Sequence, residues 1–291
     1  MVKVLGVDIG GTKIRMGIID GDGTILFDEK ITTQFPLYPY LEEQVLRVLE
    51  MHPDIEAIGI GTHGFVDPEK GRIIFATETL PGWTGTDVKA QLEKATGKSV
   101  EVENDANCAA LAEAEFGAAK GFNRVVCLTL GTGLGGAVIW DGKLLSGGPH
   151  GGAAEIGHMI LHPNGARCSC GRQGCFEQYV SGTGIRRRIK EAGLGFSPNE
   201  LFAAAAENEA AGNLVESFTQ DLALIISSLQ AAFDMEIVVI GGGVSESADF
   251  WWQNLMDQVE PLLLNPLEIK VAQFENDAGI LGAALLVLEN Q

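Results

Sequence analysis

Short apolar runs broken by glycine recur along this chain, and they come in two matching sets. In the first, Val2–Ile9 predicts a buried strand and Gly10-Gly11-Thr12 a turn. Ile14–Ile19 and Thr24–Ile31 then predict two strands joined by a hairpin turn over Asp20–Gly23. Tyr40–Met51 places Leu41, Val45, Val48 and Leu49 at helical spacing. Ile55–Ile60 predicts a further strand, followed by a glycine-rich loop from Gly61 to Gly64. Beyond Thr86 the pattern predicts an amphipathic helix to Thr96, a short strand over Val100–Val102, and an alanine-rich helix from Asp105 to Ala119.

At Arg124 the first pattern starts again. Val125–Leu130 is an apolar strand, Gly131–Gly136 a glycine turn, Ala137–Trp140 a strand, Asp141-Gly142 a hairpin turn and Lys143–Leu145 a third strand. Superposing Gly10 on Gly131 brings Asp22-Gly23 to within two residues of Asp141-Gly142, so the two sets read as a duplication. A Gly/Cys/His-rich insertion, Ser146–Gly184, follows. Helices then dominate Ile185–Phe233, with Arg186–Arg188 as a solvated face. A strand over Ile237–Ile240 leads into Gly241–Gly243, and the chain closes in a helix over Ala278–Glu289.

Composition narrows the function classes. A length of 291 residues fits about two domains, and 46% apolar residues are enough to fill their cores. The net charge of −19 repels phosphate backbones and anionic lipid, which argues against a nucleic-acid or membrane-surface protein. No apolar run reaches the roughly 20 residues needed to span a bilayer. Asp8 interrupts any signal-peptide core, and three of the five cysteines crowd into Cys168–Cys175, unlike a secreted disulfide framework. A soluble cytoplasmic protein is expected. Glycine, at 38 residues, exceeds the usual share of about 7% and clusters where backbone would approach a ligand.

Four constellations carry candidate chemistry. Asp8-Ile9-Gly10-Gly11-Thr12-Lys13 joins two strands; its glycines admit phosphate, the Thr12 hydroxyl can donate to it, and Asp8 can hold Mg²⁺ directly or through water. The bland reading is a tight hairpin, but an ionisable Asp ending a buried strand is costly without a partner. Gly131-Thr132-Gly133-Leu134-Gly135-Gly136 satisfies the dinucleotide fingerprint, yet the β-rich Ala137–Trp140 follows where a helix is required. Gly97-Lys98-Ser99 ends like a P-loop but has Leu92 in place of the first glycine. Two glycine hairpins in repeated units instead suit the phosphates of one nucleotide. Glu103-Asn104-Asp105-Ala106-Asn107 sits at a strand end and helix start, where Asp105 is either an N-cap or a ligand-facing group. Finally, Glu155-Ile156-Gly157-His158 precedes Cys168-Ser169-Cys170-Gly171-Arg172-Gln173-Gly174-Cys175. His158, Cys168, Cys170 and Cys175 supply the four ligands of a closed, structural zinc site; redox or buried thiols are the alternative. Cys108 and Cys127 read as core fillers.

Taken in order, DIGGTK, ENDAN, LGTGLGGA, EIGH, CSCGRQGCFE, VVIGGGVS and DAGILGAAL resemble the ROK family (repressors, open reading frames and sugar kinases) from Val4 to Leu285. The resemblance implies an α/β, duplicated, actin-like (ribonuclease-H-type) ATPase fold with ATP and sugar meeting in an interdomain cleft. The domains expected are 1–118, joined by a C-terminal helix 277–291, and 119–276, which carries the zinc-binding insertion. By resemblance Asp105 is the general base, while Asn104, Glu155, His158 and Glu177 bind the other sugar hydroxyls, with Gly64 in the sugar-side loop. Asp8, Gly10, Gly11, Thr12 and Lys13, with Gly131, Thr132 and Gly133, would cradle the ATP phosphates and Mg²⁺; Gly241 and Gly242 would approach the adenosine. Two positions depart from the family's pattern. His63 stands where the sugar-side loop has proline, and Ala154 where a glycine precedes the EIGH glutamate.

The activity implied is ATP-dependent phosphorylation of a free hexose, with glucose first, N-acetylmannosamine next, and fructose or a β-glucoside behind. A homodimer is also implied. The family's repressors carry a DNA-binding segment ahead of the first glycine motif; that motif begins here at Asp8, and the charge has the wrong sign for DNA. An NAD-linked oxidoreductase built on Gly131–Gly136 is disfavoured by the strand that follows it.

Overall fold

The computed structural model describes residues 2–147 and 150–288, which form two compact units. The first comprises Met1–Gly117, Leu144–Ala154 and Asn276–Gln291, the second Ala118–Lys143 and Glu155–Glu275, in each case as far as the residues are described. Leu144–Ala154, assigned above to the second domain, therefore groups with the first.

In the first unit, β1 (Lys3–Ile9), β2 (Lys13–Asp20) and β3 (Ile25–Thr32) form an antiparallel meander. Helix α1 (Leu37–Met51) buries Leu37, Leu41, Val45 and Val48 along one stripe, the i, i+4 spacing an amphipathic helix requires. Next come β4 (Ala57–Thr62), a small hairpin of β5 (Phe65–Asp67) and β6 (Arg72–Phe75), α2 (Val88–Thr96), β7 (Ser99–Asn104) and α3 (Asp105–Glu115). The five-stranded sheet runs β3-β2-β1-β4-β7, with β1, β4 and β7 parallel. The C-terminal helix Ala278–Leu288 lies against β1, β4 and α3. It approaches so closely that a Cβ on Gly59 would strike the Ala283 carbonyl, and one on Gly282 the Cys108 carbonyl. Ile280, Leu281, Leu285 and Val287 are buried there, each contributing about 1.5–3 kcal/mol. Residues 289–291 of the expected helix lie outside the described residues.

In the second unit, β8 (Val125–Leu130), β9 (Leu134–Trp140) and β10 (Lys143–Leu144) again form a meander. Helices α4 (Glu177–Val180), α5 (Gly182–Glu191), α6 (Pro198–Ala204) and α7 (Glu209–Phe233) follow, then β11 (Ile237–Gly241), α8 (Trp252–Val259) and β12 (Glu268–Val271). The sheet order is β10-β9-β8-β11-β12, with β8, β11 and β12 parallel. This is the first unit's order repeated, third-second-first-fourth-fifth, so the duplication read from the glycine patterns is a duplication of topology. Phe202, Phe218 and Trp251 fill the helical side of this unit, Phe218 meeting Trp251 edge-on at 5.4 Å.

Four local expectations change. The glycine turn is only Gly131–Gly133, because β9 begins at Leu134 and absorbs Gly135 and Gly136. The alanine-rich helix stops at Glu115 rather than Ala119. Of the arginine run only Arg186 is exposed: Arg188 pairs with buried Asp221, and Arg187 donates to the Gln178 carbonyl at 3.0 Å. Strands β5, β6 and β12, three or four residues each, are too short to read from periodicity. Among the described residues no helix is long and apolar enough to cross a membrane.

Candidate active site

Ile9, Thr62 and Asn104 close β1, β4 and β7 in a single register, Ile9 opposite Thr62 and Thr62 opposite Asn104. The next residues, Gly10, His63 and Asp105, therefore leave the sheet together at the carboxyl edge, where α/β sheets bind ligands. The turn after β1 is held by its own backbone. Gly10 N–H donates to the Lys13 carbonyl at 2.9 Å, and Thr33 Oγ1 donates to the Gly10 carbonyl at 2.8 Å. Gly11 rests on the backbone of Thr79, while Thr12 and Lys13 are exposed.

Asp8 sits one residue inside this edge. Burial pushes its carboxyl up to about 7; the negative charge of Asp105 adds to the rise and Arg15 opposes it. Its carboxylate occupies the space a Cβ on Gly279 would fill, 2.6 Å from Oδ2. A carboxylate this costly to ionise gains from any positive charge brought beside it.

Helix α3 begins with Asn104 as its cap. Asn104 Oδ1 accepts from Ala106 N–H at 2.9 Å and Asn107 N–H at 3.2 Å, and its Nδ2 donates to the Gly64 carbonyl at 3.1 Å. The capping role weighed for Asp105 thus belongs to its neighbour. Asp105 is the first helical residue. Its Oδ1 accepts from Ala106 N–H at 2.9 Å, and its Oδ2 lies 4.0 Å from His63 Nδ1. Behind the turn, buried Glu103 accepts from Asn104 N–H at 2.7 Å and Asn107 Nδ2 at 3.0 Å, and burial raises its carboxyl. Glu103 and Asn107 stand in the ENDAN string, but only the fold shows that they brace its turn.

In the second unit the Gly131–Gly133 turn closes through Gly131 N–H on the Gly133 carbonyl at 3.0 Å. It is tied to the start of α5: Gly182 N–H donates to the Gly131 carbonyl at 2.8 Å and Thr183 N–H to the Thr132 carbonyl at 3.2 Å. Gly241 ends β11 opposite Thr129, and Gly242, at φ 86°, packs on the backbone of Leu130 where a side chain has no room. Gly131, Gly241 and Gly242 are thus neighbours at the ends of β8 and β11. Glu177 supports the turn from below: Oε2 accepts from Leu134 N–H at 3.2 Å and fills the place a Cβ on Gly133 would take.

The same glutamate borders the cysteine cluster, with Cys168 Sγ at 3.8 Å from Oε1. One ligand atom each from His158, Cys168, Cys170 and Cys175 lies within 4.8 Å of all the others. Cys170 Sγ is 3.6 Å from Cys175 Sγ, and Cys168 Sγ is 3.6 Å from His158 Nδ1. A tetrahedron of Zn–S bonds of about 2.3 Å has sulfur–sulfur edges of about 3.8 Å, so the donor set fits zinc in both chemistry and spacing. Burial favours the neutral Cys170 thiol, but hydrogen bonds from the Arg172 backbone and guanidinium and from Cys168 and Cys175 outweigh it and bring it down to about 7. Glu155 opens the short 3₁₀ turn Ile156–His158, its carbonyl accepting from His158 N–H at 3.0 Å. The loop is braced on α7, where Asp221 Oδ1 meets His162 Nε2 at 2.7 Å. Cys108 and Cys127 are buried in the cores, as the sequence implied.

Comparison with known proteins identifies the architecture. The profile of the ROK family matches residues 4–290. The chain belongs to the ROK family. A glucokinase of Thermotoga maritima is 36% identical over 99% of this chain and 98% of its own length. An N-acetylmannosamine kinase of Vibrio cholerae is 33% identical over 97% of this chain and 98% of its own length. Among solved structures, a ROK family glucokinase from Streptomyces griseus, in complex with glucose and AMPPNP, superposes with a TM-score of 0.81 at 33% identity, covering 98% of each chain. This ROK chain accordingly has the duplicated actin-like α/β fold of the family's sugar kinases.

Proposed function

We propose that this protein transfers the γ-phosphoryl group of ATP to the 6-hydroxyl of glucose. The observation that carries the reading is the placing of Asp105 at the sheet edge that also presents Asp8 and the Gly10–Lys13 turn. Phosphoryl transfer asks for backbone donors and a cation at the phosphates, and a base at the nucleophile. In the step proposed, Asp105 takes the hydroxyl proton, the sugar oxygen bonds to the γ-phosphorus, and the bond to the bridging oxygen breaks to release ADP.

Gly10, Gly11, Thr12 and Lys13, with Gly131, Thr132 and Gly133, serve the phosphates, and Gly241 and Gly242 the adenosine. Asp8 would hold Mg²⁺, which supplies charge neutralisation there. His158, Cys168, Cys170 and Cys175 would hold a structural zinc ion. Gly64, Asn104, Glu155, His158 and Glu177 are assigned to the sugar. Asn104 and Glu177 already spend hydrogen bonds on α3 and on the glycine turn, so their part includes holding those elements in place. The protein is expected to act in the cytoplasm as a homodimer.

A second reading, N-acetylmannosamine kinase, draws support from the 33% identity with that enzyme of Vibrio cholerae. A coupled assay with glucose, mannose, fructose, N-acetylglucosamine, N-acetylmannosamine and a β-glucoside decides between them. A kcat/KM about tenfold higher for N-acetylmannosamine, on the order of 1.4 kcal/mol in barrier, replaces glucose with it. No turnover of any sugar removes both.

A further inference from the structure

We propose that His63 is a second contact to the acceptor hydroxyl, its Nδ1 gripping the same sugar oxygen whose proton Asp105 removes. The inference rests on the sugar-kinase reading above. His63 Nδ1 and Asp105 Oδ2 are 4.0 Å apart, too far for a direct hydrogen bond. That gap lets one oxygen sit about 2.8 Å from both. Both side chains remain open to an incoming ligand, at 44% and 40% exposure.

The two groups are held apart from opposite sides. Asp105 Oδ1 is fixed by Ala106 N–H. The His63 backbone is pinned by its N–H on the Ile9 carbonyl at 3.4 Å, and by the Gly64 carbonyl under Asn104 Nδ2. The far side of the ring is engaged as well: Nε2 lies 3.3 Å from Thr77 Oγ1, which lies 2.6 Å from Thr79 Oγ1. The backbone of Thr79 in turn underlies Gly11, so the imidazole's support reaches the phosphate turn.

One of the two directions in which the threonine–imidazole chain can run supplies the donor this contact needs. With Thr79 donating to Thr77 and Thr77 to Nε2, the ring proton resides on Nδ1. The sugar oxygen then donates its O–H to Asp105, accepts Nδ1–H on one lone pair, and keeps the other for phosphorus. Proline, which the family's pattern has at this position, offers no such donor.

The test compares the phosphorylated sugar with its 6-deoxy analogue, 6-deoxyglucose in the case of glucose, by calorimetric titration and steady-state kinetics. His63→Ala is expected to weaken glucose about three- to tenfold, the loss of one hydrogen bond. The 6-deoxyglucose affinity and the KM for ATP stay within about twofold. Thr77→Val is expected to show a smaller loss of the same pattern, and His63→Gln to recover part of it; these two variants carry the comparison if His63→Ala does not fold. Equal weakening of both sugars, or of neither, in variants of an enzyme that phosphorylates the sugar overturns the proposal. A wild-type protein that phosphorylates no sugar overturns the underlying reading instead.

Discussion

Glu177 Oε2 accepts the backbone N–H of Leu134 at 3.2 Å, directly beneath the Gly131–Gly133 turn. Its other oxygen lies 3.8 Å from Cys168 Sγ, so one carboxylate couples the glycine turn to the cysteine cluster. Metal bound by the cluster would organise the loop that carries His158 and leads into Glu177. Purified protein is expected to contain one zinc per chain. Chelation or Cys170→Ser is expected to lower the melting temperature and weaken sugar binding together. Elemental analysis followed by calorimetry and sugar titration checks this; protein free of stoichiometric metal would contradict it.

Asp105→Asn keeps the shape of the α3 first turn, since Ala106 N–H can still reach a side-chain oxygen. Sugar and ATP affinities are therefore expected to hold within about threefold. The kcat is expected to fall by roughly 10²–10⁴, the usual contribution of a positioned general base. Near-normal turnover would remove Asp105 from the chemistry.

Asp8 gives a pH-dependent prediction. Its folded carboxyl titrates near 7 against an ordinary 3.8. Between those values the folded state holds a proton that the unfolded chain has lost, so this group's contribution to stability declines as pH rises through the window. Above it the buried carboxylate is a standing cost that Asp8→Asn removes. At pH 8 without Mg²⁺ the variant is expected to be more stable by at least about 1 kcal/mol, roughly 2–4 °C. Near pH 3 the difference should vanish. Melting curves at the two pH values decide, and Mg²⁺ is expected to raise the wild-type curve at pH 8 but not that of the variant.

Ala154 holds φ at 56°, a left-handed conformation that costs an L side chain about 1–2 kcal/mol. Part of that gain is returned through the greater freedom of glycine in the unfolded chain. Ala154→Gly is accordingly expected to stabilise the protein by about 0.5–1 kcal/mol in denaturant titration. A lower midpoint would show that the methyl group makes a contact worth more than the strain.

The sequence by itself determined the repeat, most of the strands and the cluster of His158 with three cysteines. Each rests on local signals: apolar runs bounded by glycine, and soft ligands spaced tightly enough for one loop to wrap an ion. The strand after Gly133 was likewise legible from Ala137–Trp140, the run that disfavours a dinucleotide fingerprint there. Tertiary structure decided what depends on register. Only the parallel alignment of Ile9, Thr62 and Asn104 brings His63 beside Asp105, although 42 positions separate them in the chain. It made Asn104 rather than Asp105 the cap of α3, a choice between adjacent polar residues that propensity leaves open. It also turned Arg187 and Arg188 from a solvated face into partners of Gln178 and Asp221. Local pattern sets which elements form, whereas the partner of a polar side chain is set by which distant strand or helix packing places next to it.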